Sequence, residues 1–183
     1  LAQMVQEIAD VAYQQLDCDV ICVYVHDPFA RQMFGPICAG RLDHEETIER
    51  GKPDADSLVW RVVSSDRDYY HEQEQDIVSG PFGPTEAYLS RGIPTFAERE
   101  RIKSRAVLRL QMDADRLGLM FFNYRSFRRF NERERAAFQS FANLAALAVH
   151  TAQLEQRMLR AEKEEMALSL HDSVTNIAHG AYD

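Results

Sequence analysis

The chain has 183 residues, 45% hydrophobic and 27% charged, which suits one globular domain with a real core plus an appendage. A formal net charge of −8 argues against nucleic acid or an anionic membrane as the main partner, since both call for a basic surface. No apolar run approaches the ~20 residues that span a bilayer, and "LAQMVQEIAD" carries neither the basic region nor the cleavage pattern of a signal peptide.

The opening without Met, inside a helix pattern, reads as a piece of a longer protein. Three cysteines, Cys18, Cys22 and Cys38, match no zinc spacing and no disulfide framework. They are expected to be reduced thiols of a cytoplasmic protein, with structural rather than reactive roles.

Residues 1–16 read as an amphipathic helix with Met4, Ile8, Val11 and Ala12 on its apolar face. "DVICVYVHD" (19–27) is a continuous β-branched and aromatic run, predicted as a strand buried on both faces. "QMFGPICAGRL" (32–42) is a second strand; Gly35 and Pro36 mark it as bent or at an edge. "HEETIERGKPDADS" reads as loop. "DSLVWRVVSSD" (56–66) reads as a short helix with Asp56 as N-cap and Leu58, Val59, Val62 and Val63 buried.

"RDYYHE" suggests a short strand. From about 76 to 100 the periodicity dissolves; "SGPFGPTEAYLSRGIPTF" reads as a loop of the kind that covers a pocket. "SRAVLRLQM" (104–112), "DADR" and "LGLMFFNY" (117–124) predict a β-hairpin, the second run as a central strand. A long helix follows, with Asn131 and Glu134 as a capping box and Phe138, Phe141, Leu144, Ala145 and Ala148 as its stripe. Leu147, Thr151, Leu154, Met158, Ala161, Glu165 and Leu168 then alternate four and three apart, an imperfect heptad seam that asks for a second chain.

This order, with "LGLMFFNYRSFRRFNERERAAFQSFANLAALAV" at its end, resembles a GAF domain over roughly residues 1–152. Residues 153–183 would be a coiled-coil linker and the start of a further functional helix. The resemblance implies an α+β, PAS-related fold. Its central antiparallel sheet would carry the terminal helices on one face and a ligand pocket on the other, extended by the long C-terminal helix.

A covalently bound bilin is not expected, because no Cys-His pair occurs. The cysteines do not match those of a free methionine sulfoxide reductase, which this fold also resembles. His26, His71 and His150 are haem candidates by residue type only; a histidine in such places is more often satisfied by core or solvent. Tyr69, Tyr70, Phe82, Tyr88 and Phe96, with Arg91, are the candidate lining of a small-molecule pocket. A loop packed on its own aromatics is the alternative.

Near the C-terminus stands "LSLHDSVTN" (168–176). Val174, Ile177, Ala178 and Ala181 fall at i, i+3, i+4, i+7, and His171, Thr175 and His179 on a different face. A neutral imidazole beside a carboxylate suits phosphoryl acceptance: the carboxylate can fix the tautomer and take up the proton. Alone, the pair reads equally well as part of a solvated helix face.

The segment resembles the phosphoacceptor region of sensor histidine kinases of the nitrate-sensor and degradation-sensor type, "R-E-L-H-D-x-V-x-Q", matching at Leu170, His171, Asp172 and Val174. By that resemblance His171 is the phosphorylated residue and Asp172 its acid/base partner. Asn176 stands where Gln is usual and would position water for a phosphatase reaction. Ser169 replaces the usual Glu.

No ATP-binding motif is present, so ATP would act only through a kinase domain elsewhere in the protein. The expected protein is thus the input region of a two-component sensor histidine kinase. It would be a homodimer through its terminal helices and would signal to a response regulator. The alternative is a GAF ligand-binding or dimerisation module that controls a different output, without histidine phosphorylation.

Overall fold

The computed structural model describes residues 1–48, 53, 57–80 and 83–180; at Thr47, Asp172 and residues 175–180 it describes the backbone alone. In chain order the elements are α1 (Ala2–Leu16), β1 (Val20–Asp27), β2 (Gln32–Gly40), a 3-10 turn (Glu45–Thr47), α2 (Leu58–Val63) and β3 (Tyr69–His71). Then come α3 (Glu74–Ser79), α4 (Glu86–Leu89), α5 (Phe96–Arg99), β4 (Ser104–Met112), β5 (Asp115–Tyr124) and α6 (Glu132–Gly180). The chain divides into two compact units, Leu1–Val149 and His150–Asp183.

The first unit is built on a five-stranded antiparallel sheet of order β2-β1-β5-β4-β3. The expected hairpin is β4–β5, and β5 is the middle strand, with every residue from Leu117 to Tyr124 buried. Its Gly118, at φ 146°, leaves no room for a side chain beside β1: a Cβ there would stand 2.0 Å from the Tyr24 carbonyl oxygen. β2 lies at the sheet edge, where Pro36 interrupts no second ladder.

Strand alternation sorts the core into two layers. On one face Ile21, Val23, Ala106, Leu108, Met120, Phe122 and Tyr124 pack against α1 and the first turns of α6, through Val5, Ala9, Phe138, Ala142 and Val149. On the other face Val20, Cys22, Val107, Leu119 and Phe121 meet Val59, Val62 and Val63 of α2.

The capping box forms as expected. The Glu134 N–H donates to Asn131 Oδ1 and the Asn131 N–H to Glu134 Oε2, both at 2.9 Å. Phe138 sits among Phe122, Tyr124 and Phe130, with ring centroids 4.6, 6.5 and 5.3 Å away.

Three expectations are corrected. The buried stripe of α1 is Val5, Ala9 and Ala12, while Met4 and Val11 are exposed. In α6 Leu144 is likewise exposed, and Ala142, Ala145 and Ala146 are buried. Both helices carry apolar residues on more than one face, and the face with small side chains approaches the sheet because it allows closer packing. Residues 76–100 are not one irregular loop: α3, α4 and α5 occupy it. The last two are single turns capped by Thr85 and Thr95, too short for any hydrophobic period to show. Asp56, expected to cap α2, lies outside the described residues; Ser57 occupies the N-cap position and its side chain makes no capping bond.

The second unit continues α6. Leu154, Met158, Leu168, Leu170 and Val174 are all exposed along it. No described helix is long and apolar enough to cross a membrane.

Phe138→Ala is expected to cost about 3–5 kcal/mol by opening a hole between α6 and the sheet. Equilibrium urea unfolding measures it; a loss below about 1 kcal/mol would mean that the aromatic cluster is not the keystone of this layer.

Candidate functional site

The face of the sheet away from α1 and α6 is closed by short pieces rather than by a long helix. Between them and the strands lies a cavity of about 170 Å³. Its floor comes from Cys22 and Tyr24 of β1, Phe121 and Asn123 of β5 and Arg105 of β4. Its walls and cover come from Ser57, Val59 and Arg61 around α2, Thr85 and Tyr88 at α4, and Thr95 and Phe96 at α5.

A row of polar side chains runs from the edge strand onto this floor, with Arg105 and Asn123 lining the cavity. In the strand register His71 stands opposite Arg105, and Arg105 opposite Asn123. The Arg105 Nε–H donates to His71 Nδ1 at 3.0 Å, so the neutral ring carries its proton on Nε2. Burial, reinforced by the Arg105 charge, pushes the His71 pKa down to about 4. Burial also brings Arg105 down to about 10, which leaves it a cation at neutral pH. Asn123 is 1% exposed and neither its Oδ1 nor its Nδ2 finds a partner among the described residues; the same holds for Ser57 Oγ.

Of the candidate lining residues, Tyr88 and Phe96 line the cavity. Tyr69 does not: it packs beside that layer, and its hydroxyl meets Ser65 Oγ. Tyr70, the next residue on β3, points to the opposite face, where it packs near Phe130 beneath the Arg135 guanidinium. The correction follows from strand alternation, which separates neighbouring side chains. Arg91 stacks over the Tyr88 ring at 5.7 Å without lining the cavity. Phe82 lies outside the described residues.

Arg105 and Asn123 were missed by the sequence reading. The available signal was an Asn inside the otherwise apolar run "LGLMFFNY".

Cys22 does face the cavity, with its Sγ 3.2 Å from that of Cys38 on the neighbouring strand. The Cys38 thiol and burial together raise the Cys22 pKa, so it stays a thiol; burial pushes Cys18 up to about 12. None of His26, His71 and His150 is among the cavity-lining residues, and no metal-holding cluster of His, Cys, Asp or Glu occurs among the described residues.

His171 is exposed on α6. Asp172 and Asn176 continue the same helix backbone, and their side chains lie outside what is described.

The GAF domain model matches residues 1–149. The chain belongs to the GAF domain family. Similar solved structures include the GAF domain of a two-component sensor histidine kinase from Bacillus halodurans: 13% identity, TM-score 0.61, covering 85% of this chain and 97% of that one. The GAF domain of a phosphoenolpyruvate-protein phosphotransferase from Coxiella burnetii gives 13% identity and TM-score 0.65, over 85% and 86% of the two chains. Free methionine-R-sulfoxide reductase from Neisseria meningitidis gives 12% identity and TM-score 0.58, over 85% and 83%. At these identities the likeness is one of fold. No curated protein matches the sequence. In this GAF domain the cavity lies on the sheet face opposite the terminal helices, where the resemblance had put a ligand pocket.

The His71 environment sets a pH dependence. Unfolded, its imidazole takes a proton near pH 6.5; folded, it resists until about pH 4. Its contribution is therefore complete above about pH 6.5 and is lost as pH falls through 4, with a ceiling of about 3 kcal/mol. His71→Gln, which still accepts from Arg105, should remove that part of the acid slope. Urea unfolding of both proteins at about pH 7 and pH 4.5 reads the difference; parallel slopes would contradict the assignment.

Proposed function

We propose that this GAF domain is the sensory input region of a cytoplasmic two-component sensor histidine kinase, with His171 as the phosphoacceptor. The observation that carries the reading is the continuity of α6: one helix runs from the GAF sheet to the "LHD" segment. Asp172 acts as the acid/base partner that takes up the imidazole proton, and Asn176 positions water for dephosphorylation. A likeness in fold to a sensor-kinase GAF domain supports the reading.

The protein works as a homodimer through its terminal helices. Leu147, Leu154, Met158 and Leu168 lie on the heptad seam and are exposed in the single chain, as an unfilled coiled-coil seam requires. Thr151 and Glu165 weaken that seam, so a change of packing in the GAF dimer passes to His171 as a shift in register or rotation. A response regulator takes the phosphoryl group in the full-length protein, and ATP is supplied through its kinase domain.

The full-length protein incubated with labelled ATP should acquire acid-labile, base-stable label that His171→Gln abolishes. Equal labelling of both proteins would sink the phosphoacceptor assignment and favour a GAF module that controls another output. Leu154→Glu with Met158→Glu should convert the dimer to monomer in sedimentation velocity. An unchanged dimer would move the interface off the seam.

A further inference from the structure

We propose that the GAF cavity takes a small organic acid, its carboxylate held by Arg105 and Asn123 and its apolar body set against Tyr24, Phe96 and Phe121. The inference rests on reading this cavity as the sensory pocket, and it supplies the chemical class of the signal.

The floor of the cavity carries an unbalanced charge. Arg105 is 5% exposed, and its Nε is committed to His71. Among the described residues no carboxylate pairs with it, and no Asp or Glu lines the cavity, in a chain whose net charge is −8. Elsewhere the same fold pairs its buried charge fully. Glu100, 1% exposed, accepts the Arg125 Nη2 at 2.8 Å and the backbone N–H groups of Asp43 and His44 at 2.7 and 2.9 Å. A buried guanidinium without an anion is costly, and the cheapest remedy is an anion that arrives from outside.

Asn123 is the second, independent observation. It stands directly across the β4–β5 ladder from Arg105, fully buried, with both amide atoms unpartnered, and it lines the cavity. The guanidinium fork and an amide NH₂ on adjacent strands together present the donor set that a carboxylate accepts. Asn123 Oδ1 and Ser57 Oγ remain to meet a hydroxyl, amino or keto group next to that carboxylate.

Size and walls define the rest of the ligand. A cavity near 150 Å³ holds a molecule of about benzene's size, and this one is about 170 Å³. Nucleotides are too large, and a free phosphate would waste the aromatic walls. A short-chain or single-ring carboxylic acid fits both ends.

Thermal unfolding of the 183-residue chain with propionate, benzoate, benzamide or inorganic phosphate, at matched ionic strength, tests this. Propionate or benzoate should raise Tm, by about 5 °C at about a hundred times Kd; benzamide and phosphate should not. Arg105→Met should abolish the shift. Asn123→Leu should weaken binding roughly tenfold while keeping the selectivity for the acid.

Equal stabilisation by benzamide, a response to phosphate alone, or no response to either acid overturns the proposal. So does an acid shift that survives Arg105→Met. Failure of the kinase reading would appear instead in the His171 labelling experiment and would leave these shifts in place.

Discussion

A sheet that is apolar on both faces must be covered twice, and this chain spends its long helices on one face only. α1 and the first turns of α6 lie on the side of Ile21, Met120 and Phe122, with Ala9, Ala12, Ala142 and Ala145 allowing close approach. The other face receives α2, α4 and α5, none longer than two turns, joined by Gly- and Pro-containing segments. Short, separately capped pieces cannot fill a layer as a continuous helix does. A cavity over the centre of the sheet follows from that unequal division.

The sheet also makes the cavity chemically specific. Arg105 and Asn123 project into it from paired strands, and His71 holds Arg105 from the next strand, so their spacing is fixed by ladder geometry rather than by loop conformation. The cover is built from short elements: Val59, Val62 and Val63 seat α2 on the sheet, Ile77, Ala97 and Ile102 pack α3 and α5 together, and Thr95 with Glu98 caps α5. A floor fixed by strand pairing under a cover of short helices lets the recognising groups hold their spacing independently of the segments above them.

The strongest sequence signals were those of two-sided burial. The continuous apolar runs of β1 and β5 and the Asn131–Glu134 capping box were legible because each is encoded within a few residues. The buried faces of α1 and α6 were not. Met4, Val11 and Leu144 look like core by hydropathy, yet the sheet prefers the alanine faces. This preference depends on the partner surface and leaves no local mark.

The site was harder still. Arg105, Arg109 and Gln111 alternate with apolar residues as a solvent-facing edge would. The bulge between Leu110 and Gln111 shifts the hairpin register by one residue, so counting back from the Met112–Asp115 pair sets Arg105 opposite Phe122 instead of Asn123. Tyr69 and Tyr70 read as one aromatic cluster until strand alternation separates them. For His171 the balance is reversed: the expectation rests on the local pattern "LHD", and the structure adds the helix on which it lies.

The central claim is that Arg105 and Asn123 form one recognition floor. The most direct measurement is a two-dimensional nitrogen–proton NMR titration of labelled protein with benzoate, following the Arg105 Nε–H and the Asn123 side-chain NH₂. Both resonances should move together and saturate with a single dissociation constant, while benzamide leaves them in place. Resonances that stay fixed as benzoate binds elsewhere, or that respond identically to benzamide, would contradict the account.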